Sequence, residues 1–234
     1  MSRIKEKLSV KTIVGIIVFA SLIGSIIYVT VRLLTSSDIS SVGQVLKSQY
    51  SLMLLQCLLG VAVMLLPGLL ERKFSIDVPD YMEVMYFIFL YCAIYLGEVR
   101  SFYYYIPHWD TVLHAFSGAM LGALGYTVVS LFNDSEKVKI KLNPLFVTLF
   151  AFCFAVAAGA VWEIYEYVAD GLLGLNMQKF TDVNGTVFVG RDALGDTMGD
   201  IIVDTLSAFA VTFMGYIISK IRERFRKKAK SPAE

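Results

Sequence analysis

Two histidines, three cysteines and five prolines are all that 234 residues contain. With only His108 and His114, a metal centre built on three histidines is excluded. Cys57, Cys92 and Cys153 all fall in apolar runs, without C-x-x-C spacing, so neither a disulfide framework nor a zinc ribbon is available. Charge is sparse as well: Asp, Glu, Lys and Arg together make up 18% of the chain and nearly cancel, at +1. That balance leaves no polycationic surface for nucleic acid and no acidic tail. What is abundant is apolar side chain, at 56% of residues, with a mean hydropathy of +0.64. An ordinary water-soluble domain does not have this composition, and the chain reads as an integral membrane protein.

Runs long enough to cross about 30 Å of hydrocarbon occur six times, near residues 13–34, 52–70, 81–97, 111–132, 145–167 and 197–219. Backbone N–H and C=O groups find no water in lipid, so each run is expected to be a helix, giving an all-α fold of six transmembrane helices. Arg3, Lys5 and Lys7 precede the first run as they would in a signal peptide, but its 22 residues exceed an h-region and no clear A-x-A site follows. It is read as a retained span. No repeat and no Gly/Ser or Pro linker divides the chain, which is taken as one domain, 1–234. Within it, 1–12 is a cytoplasmic N-terminus, 170–196 an outer loop lying over the bundle and 220–234 a basic cytoplasmic tail. Residues 36–50 are polar and suit a short surface helix; 180–189 alternate around Asn184-Gly185 as a small hairpin would.

The basic residues set the orientation. With both termini inside, sixteen Lys and Arg fall on the cytoplasmic side; Arg32, Lys47, Arg100, Lys179 and Arg191 are left outside. The expected placement is therefore a multi-pass protein of the cell membrane, N-in and C-in, with a net negative outer face.

On that topology the intramembrane ionisable residues converge. The fourth span enters through Trp109-Asp110 and reaches His114 one turn later on the same face. The fifth leaves through Glu163, Glu166 and Asp170, and the sixth enters with Asp196, Asp200 and Asp204 at steps of four. At 1.5 Å per residue this last stripe descends about 12 Å. Each carboxylate in hydrocarbon costs about 2.5–3.5 kcal/mol on insertion scales. Side by side they cannot all stay ionised without a cation or shared protons. The candidate metal ligands are thus Asp110, His114, Glu163, Glu166, Asp196, Asp200 and Asp204. An oxygen-rich set with one imidazole suits Mg, Mn or Ca better than Zn. Glu163-x-x-Glu166 has the spacing of a di-iron E-x-x-H pair but the wrong second residue, so no di-iron centre is expected.

Plainer roles compete with these. Asp192 and Asp196 suit a helix N-cap, His114 a core histidine bonded to Asp110, and Glu163 and Glu166 an interfacial helix end. Phe102 to Tyr105 with Trp109 read as an interfacial aromatic belt, and Gly118, Gly122 and Gly125 as close helix packing. The basic run 222–230 marks topology and suits anionic lipid heads. Arg100 and Arg191 are candidates to neutralise the acids or to bind an anionic head group; for Arg100 a local pair with Glu98 is the alternative.

In these residues (Trp109-Asp110-x-x-x-His114 with glycines after it, Glu163-x-x-Glu166, and Asp196-Thr197 followed by Asp200 and Asp204) the chain resembles the YjdF-type family of small polytopic membrane proteins. The resemblance covers residues 81–219. More distantly, the order of Asp and His at one helix start, Glu in the next helix and an Asp-rich helix start resembles VanZ-like proteins, where uncharged polar residues tend to stand in place of Glu166 and Asp204. The resemblance implies architecture and site, not a reaction.

The leading expectation is an outward-facing site that binds a divalent cation and acts on a lipid head group or lipid-linked substrate, with Asp200, Glu163 and His114 as catalytic groups. No nucleophile motif accompanies it; Ser207 and Thr197 flank the stripe without a paired base. The alternatives are a proton- or cation-coupled transporter or sensor and a non-catalytic structural protein. The inner halves of the spans offer only Glu83, which favours a site open to one side. The bilayer is the one firm partner; oligomeric state is not legible.

Overall fold

The computed structural model describes residues 9–35, 47–74, 78–134, 142–181 and 186–230. Expectations resting on Arg3, Lys5, Lys7, on the polar stretch 36–46, on Lys137 to Lys141 and on the Asn184-Gly185 tip lie outside those residues. Six helices are long and apolar enough to span a membrane: Val10–Thr35, Tyr50–Lys73, Asp80–Val99, Trp109–Ser130, Pro144–Leu173 and Asp192–Arg226. They answer to the six apolar runs.

In chain order the elements are α1 (Val10–Thr35), α2 (Lys47–Met64), α3 (Leu66–Phe74), α4 (Asp80–Leu90) and α5 (Phe102–Tyr105), followed by α6 (Trp109–Asp134), α7 (Pro144–Leu173) and α8 (Gly195–Lys230). The second span is interrupted at Leu65, and Pro67 stands in the first turn of α3, where a missing N–H costs no helical bond. The third span continues past α4 as a π-helical segment, Tyr91–Val99. Local sequence gave no sign of it, because the i→i+5 pattern has no distinctive composition. The aromatic run 102–105 forms the separate helix α5, and α8 runs well past residue 219, so the basic tail is helical through Lys230.

The chain forms two compact units, Met1–Leu113 and His114–Glu234, divided within α6. In the first, α1 buries Val18, Leu22, Ser25 and Val29 at helical spacing. Val18 and Leu22 form a core with Phe87 and Leu90, against which Val61 and Ile94 pack. One end is tied by a charged triad: Lys11 Nζ lies 2.8 Å from Asp80 and 2.7 Å from Glu83, whose side chain is 9% exposed. Lys11→Met is expected to destabilise by roughly 1–3 kcal/mol, because it strands a buried acceptor. The Lys11→Met/Glu83→Met pair is expected to regain most of that loss. A double-mutant cycle on thermal unfolding in detergent checks this, and additive losses would disprove the coupling.

In the second unit α7 begins with an Asn143 side chain that accepts from Leu145 N at 2.9 Å and Pro144 at the first position. It ends at Gly174, whose φ of +65° supplies the left-handed cap. Its buried stripe reads Val147, Ala151, Ala155, Gly159, Glu163, Glu166, Ala169 and Asp170, small at one end and acidic at the other. On α8 the buried residues Asp200, Asp204, Ala208 and Thr212 follow every fourth position. On α6, His114, Gly118 and Gly122 do the same. Small residues let three helices meet closely, and the polar ends of all three stripes therefore coincide.

Candidate metal centre

His114 stands in the middle of this polar end, 6% exposed, with Glu163 and Asp200 at 4% and Asp204 at 3%. Its Nδ1 lies 3.2 Å from Asp204 Oδ2. Its Nε2 lies 3.7 Å from Asp200 Oδ2 and 3.8 Å from Glu163 Oε1. An ionised Asp204 only accepts, so with it this bond requires the proton on Nδ1, while Nε2 faces the other two acids. Gaps of 3.7 and 3.8 Å exceed a direct hydrogen bond. His114 and Asp200 present ligand atoms within 4.8 Å of one another, the span of a small metal site.

The approach that assembles these groups is steric. A Cβ on Gly118 would sit 2.6 Å from the Asp204 carbonyl oxygen and 2.9 Å from its Cα; one on Gly159 would sit 2.6 Å from Asp204 Oδ2. Further along, Tyr126 Oη donates to Gly215 O at 2.9 Å, fixing the register of α6 on α8.

The remaining acids each have a local partner. Glu166 accepts from Trp162 Nε1, one turn earlier on α7, at 2.9 Å. Asp196 is held by Lys179 Nζ at 3.0 Å. Asp170 accepts the backbone N–H groups of Met177 and Gln178 at 2.8 and 3.0 Å, and the Gln178 side chain donates to Thr197 Oγ1 at 2.8 Å. These bonds strap the segment after α7 onto the start of α8. Beyond the strap, Thr181 and Val187 form an antiparallel bridge, with Phe188 N donating to Phe180 O at 2.9 Å, as flanks of the expected hairpin would. Asp110 lies one turn before His114 on α6; Arg100 and Arg191 are exposed.

Sequence reasoning passed over two contributors. Ser117 Oγ reaches Asp204 Oδ1 at 3.1 Å, and its place three residues after His114 was the available signal. Gly159, four before Glu163, gives the Asp204 carboxylate its space.

Fold and site together define an all-α integral membrane protein with six spanning helices and a buried carboxylate and imidazole cluster. The chain belongs to the family described as "Predicted membrane protein (DUF2238)", matched over residues 10–221, which is the YjdF-type family its motifs resemble. An uncharacterized protein of Thermotoga maritima is 24% identical over 151 residues, covering 64% of this chain and 69% of that one. No solved structure matches.

Proposed function

We propose that the His114, Glu163, Asp200 and Asp204 cluster binds a divalent cation at the outer side of the membrane and uses it on a lipid head group or lipid-linked substrate. The observation that carries this reading is the arrival of three nearly fully buried carboxylates at one imidazole from two other helices. Carboxylates gathered around one imidazole in a low-dielectric site are stabilised by a shared cation or by shared protons, and the metal reading takes the cation. The oxygen-rich donor set favours Mg, Mn or Ca over Zn. Asp110 extends the set by one helical turn. The bound ion would polarise a phosphoryl or carbonyl oxygen. Glu163 would take a proton from an attacking water, and the exposed Arg191 would supply anion-binding charge. The excess of Lys and Arg in the segments assigned to the cytoplasm supports termini inside and the cluster outside.

The test is the metal content of the full chain purified in detergent and dialysed against a weak chelator. Wild type is expected to retain close to one metal per chain and Asp200→Asn at least tenfold less. No metal in either sample, with both folded, would refute the reading and leave a protonated carboxylate network suited to ion coupling. The substrate reading carries its own expectation: metal-dependent release of phosphate or fatty acid from phospholipid vesicles, lost in Asp200→Asn.

A further inference from the structure

Within the cluster the four side chains are not equivalent. Both Asp204 oxygens are committed to α6: Oδ1 accepts from Ser117 Oγ at 3.1 Å, and Oδ2 faces His114 Nδ1 at 3.2 Å. Ser117 Oγ also lies 3.0 Å from the His114 carbonyl oxygen, so its single proton is shared between that carbonyl and Asp204 Oδ1. The α7 side of Oδ2 is closed by the Gly159 backbone, close enough that a Cβ there would come within 2.6 Å. An ion has no approach to Oδ2 from that side. Glu163 and Asp200 instead stand on the Nε2 edge of the ring, and of the two it is Asp200 whose ligand atom lies with that of His114 within the 4.8 Å span of a metal site. A histidine that ligates a metal through one nitrogen commonly donates its other N–H to a carboxylate, which fixes tautomer and ring plane and raises ligand basicity.

Resting on the metal reading above, we infer that Asp204 is a positioning residue. Held by Ser117 and seated on Gly159, it fixes the Nδ1–H tautomer of His114 and aims Nε2 at an ion that His114 and Asp200 ligate. The site thus has a built-in orienting arm drawn from α6, α7 and α8.

Cu(II) is the probe, because it binds mixed nitrogen and oxygen sites tightly and reports coordinated imidazole by pulsed EPR. The coupling of the remote ring nitrogen, here Nδ1, senses whether that nitrogen donates a hydrogen bond. In the detergent-purified full chain, wild type is expected to bind one Cu(II) with imidazole couplings. Asp204→Asn is expected to keep the stoichiometry, weaken affinity about 10- to 100-fold and shift the remote-nitrogen coupling. Gly159→Ala removes no polar group but displaces Oδ2, and is expected to shift the same coupling; it serves if Asp204→Asn fails to fold. Asp200→Asn is expected to lose the copper.

Two results overturn the inference while leaving the metal reading intact. One is an unchanged coupling and affinity in Asp204→Asn. The other is complete copper loss in folded Asp204→Asn, which would make Asp204 a ligand. Absence of copper from folded wild type overturns both readings together.

Discussion

Gly118→Ala is expected to separate α6 from α8 and to lower the thermal midpoint of the protein in detergent by several degrees or more. The added methyl would meet the carbonyl oxygen and Cα of Asp204 at 2.6 and 2.9 Å, and both are backbone atoms that no rotamer change can move aside. Relief requires the helices to part, which opens the neighbouring contacts of Gly122 with Ala208 and Thr212. Overpacking of this kind costs about 1–3 kcal/mol and more where the clash is with backbone. In lipid, close van der Waals contact of small residues is itself much of what associates helices. Gly24→Ala is the control: nothing lies within 4 Å of its Cβ, and the helix propensity of alanine makes it neutral or slightly stabilising. Melting followed by size exclusion compares the two. Equal midpoints for Gly118→Ala and Gly24→Ala would contradict the close approach of the two helices at Asp204.

His114→Ala is expected to abolish the stabilisation that added metal gives the wild type. A ligand that binds only the folded state contributes about 2.7 kcal/mol at one hundred times its dissociation constant. Titrating Mn(II) into chelator-treated wild type should therefore raise its midpoint by several degrees, and the same titration of His114→Ala should be flat. On the proposed metal reading the substitution would act twice, because Nε2 would go to the ion and Nδ1 faces Asp204 at 3.2 Å. Without it, Asp200, Asp204 and Glu163 lose the imidazole that lies between them. The metal-free variant should melt below metal-free wild type for that reason. A metal-dependent rise of equal size in the variant would place the ion elsewhere.

Much of the site can be read from spacing. Asp196, Asp200 and Asp204 at steps of four, Asp110 and His114 one turn apart, and Glu163 at the end of a small-residue stripe each define one helix face. Their convergence follows from topology, since alternate spans run in opposite directions. Partner choice is not legible in this way. Asp196 and Asp200 are identical residues on one stripe, yet the first is held by Lys179 and the second faces His114. Glu98 stands two residues from Arg100 but accepts from Gln56, 42 positions earlier.

The amino-acid sequence alone determined the six helical spans, because apolar length and the need to satisfy backbone polar groups in lipid leave no other structure. It also determined which face of each helix bears charge, because helical periodicity depends on spacing alone. Only the tertiary structure decided which acids meet the imidazole, that Ser117 and Gly159 hold Asp204, and that the third span ends in a π-helical segment. Those depend on distances of a few tenths of an ångström between helices far apart in the chain, which are set by how closely glycine lets two backbones approach.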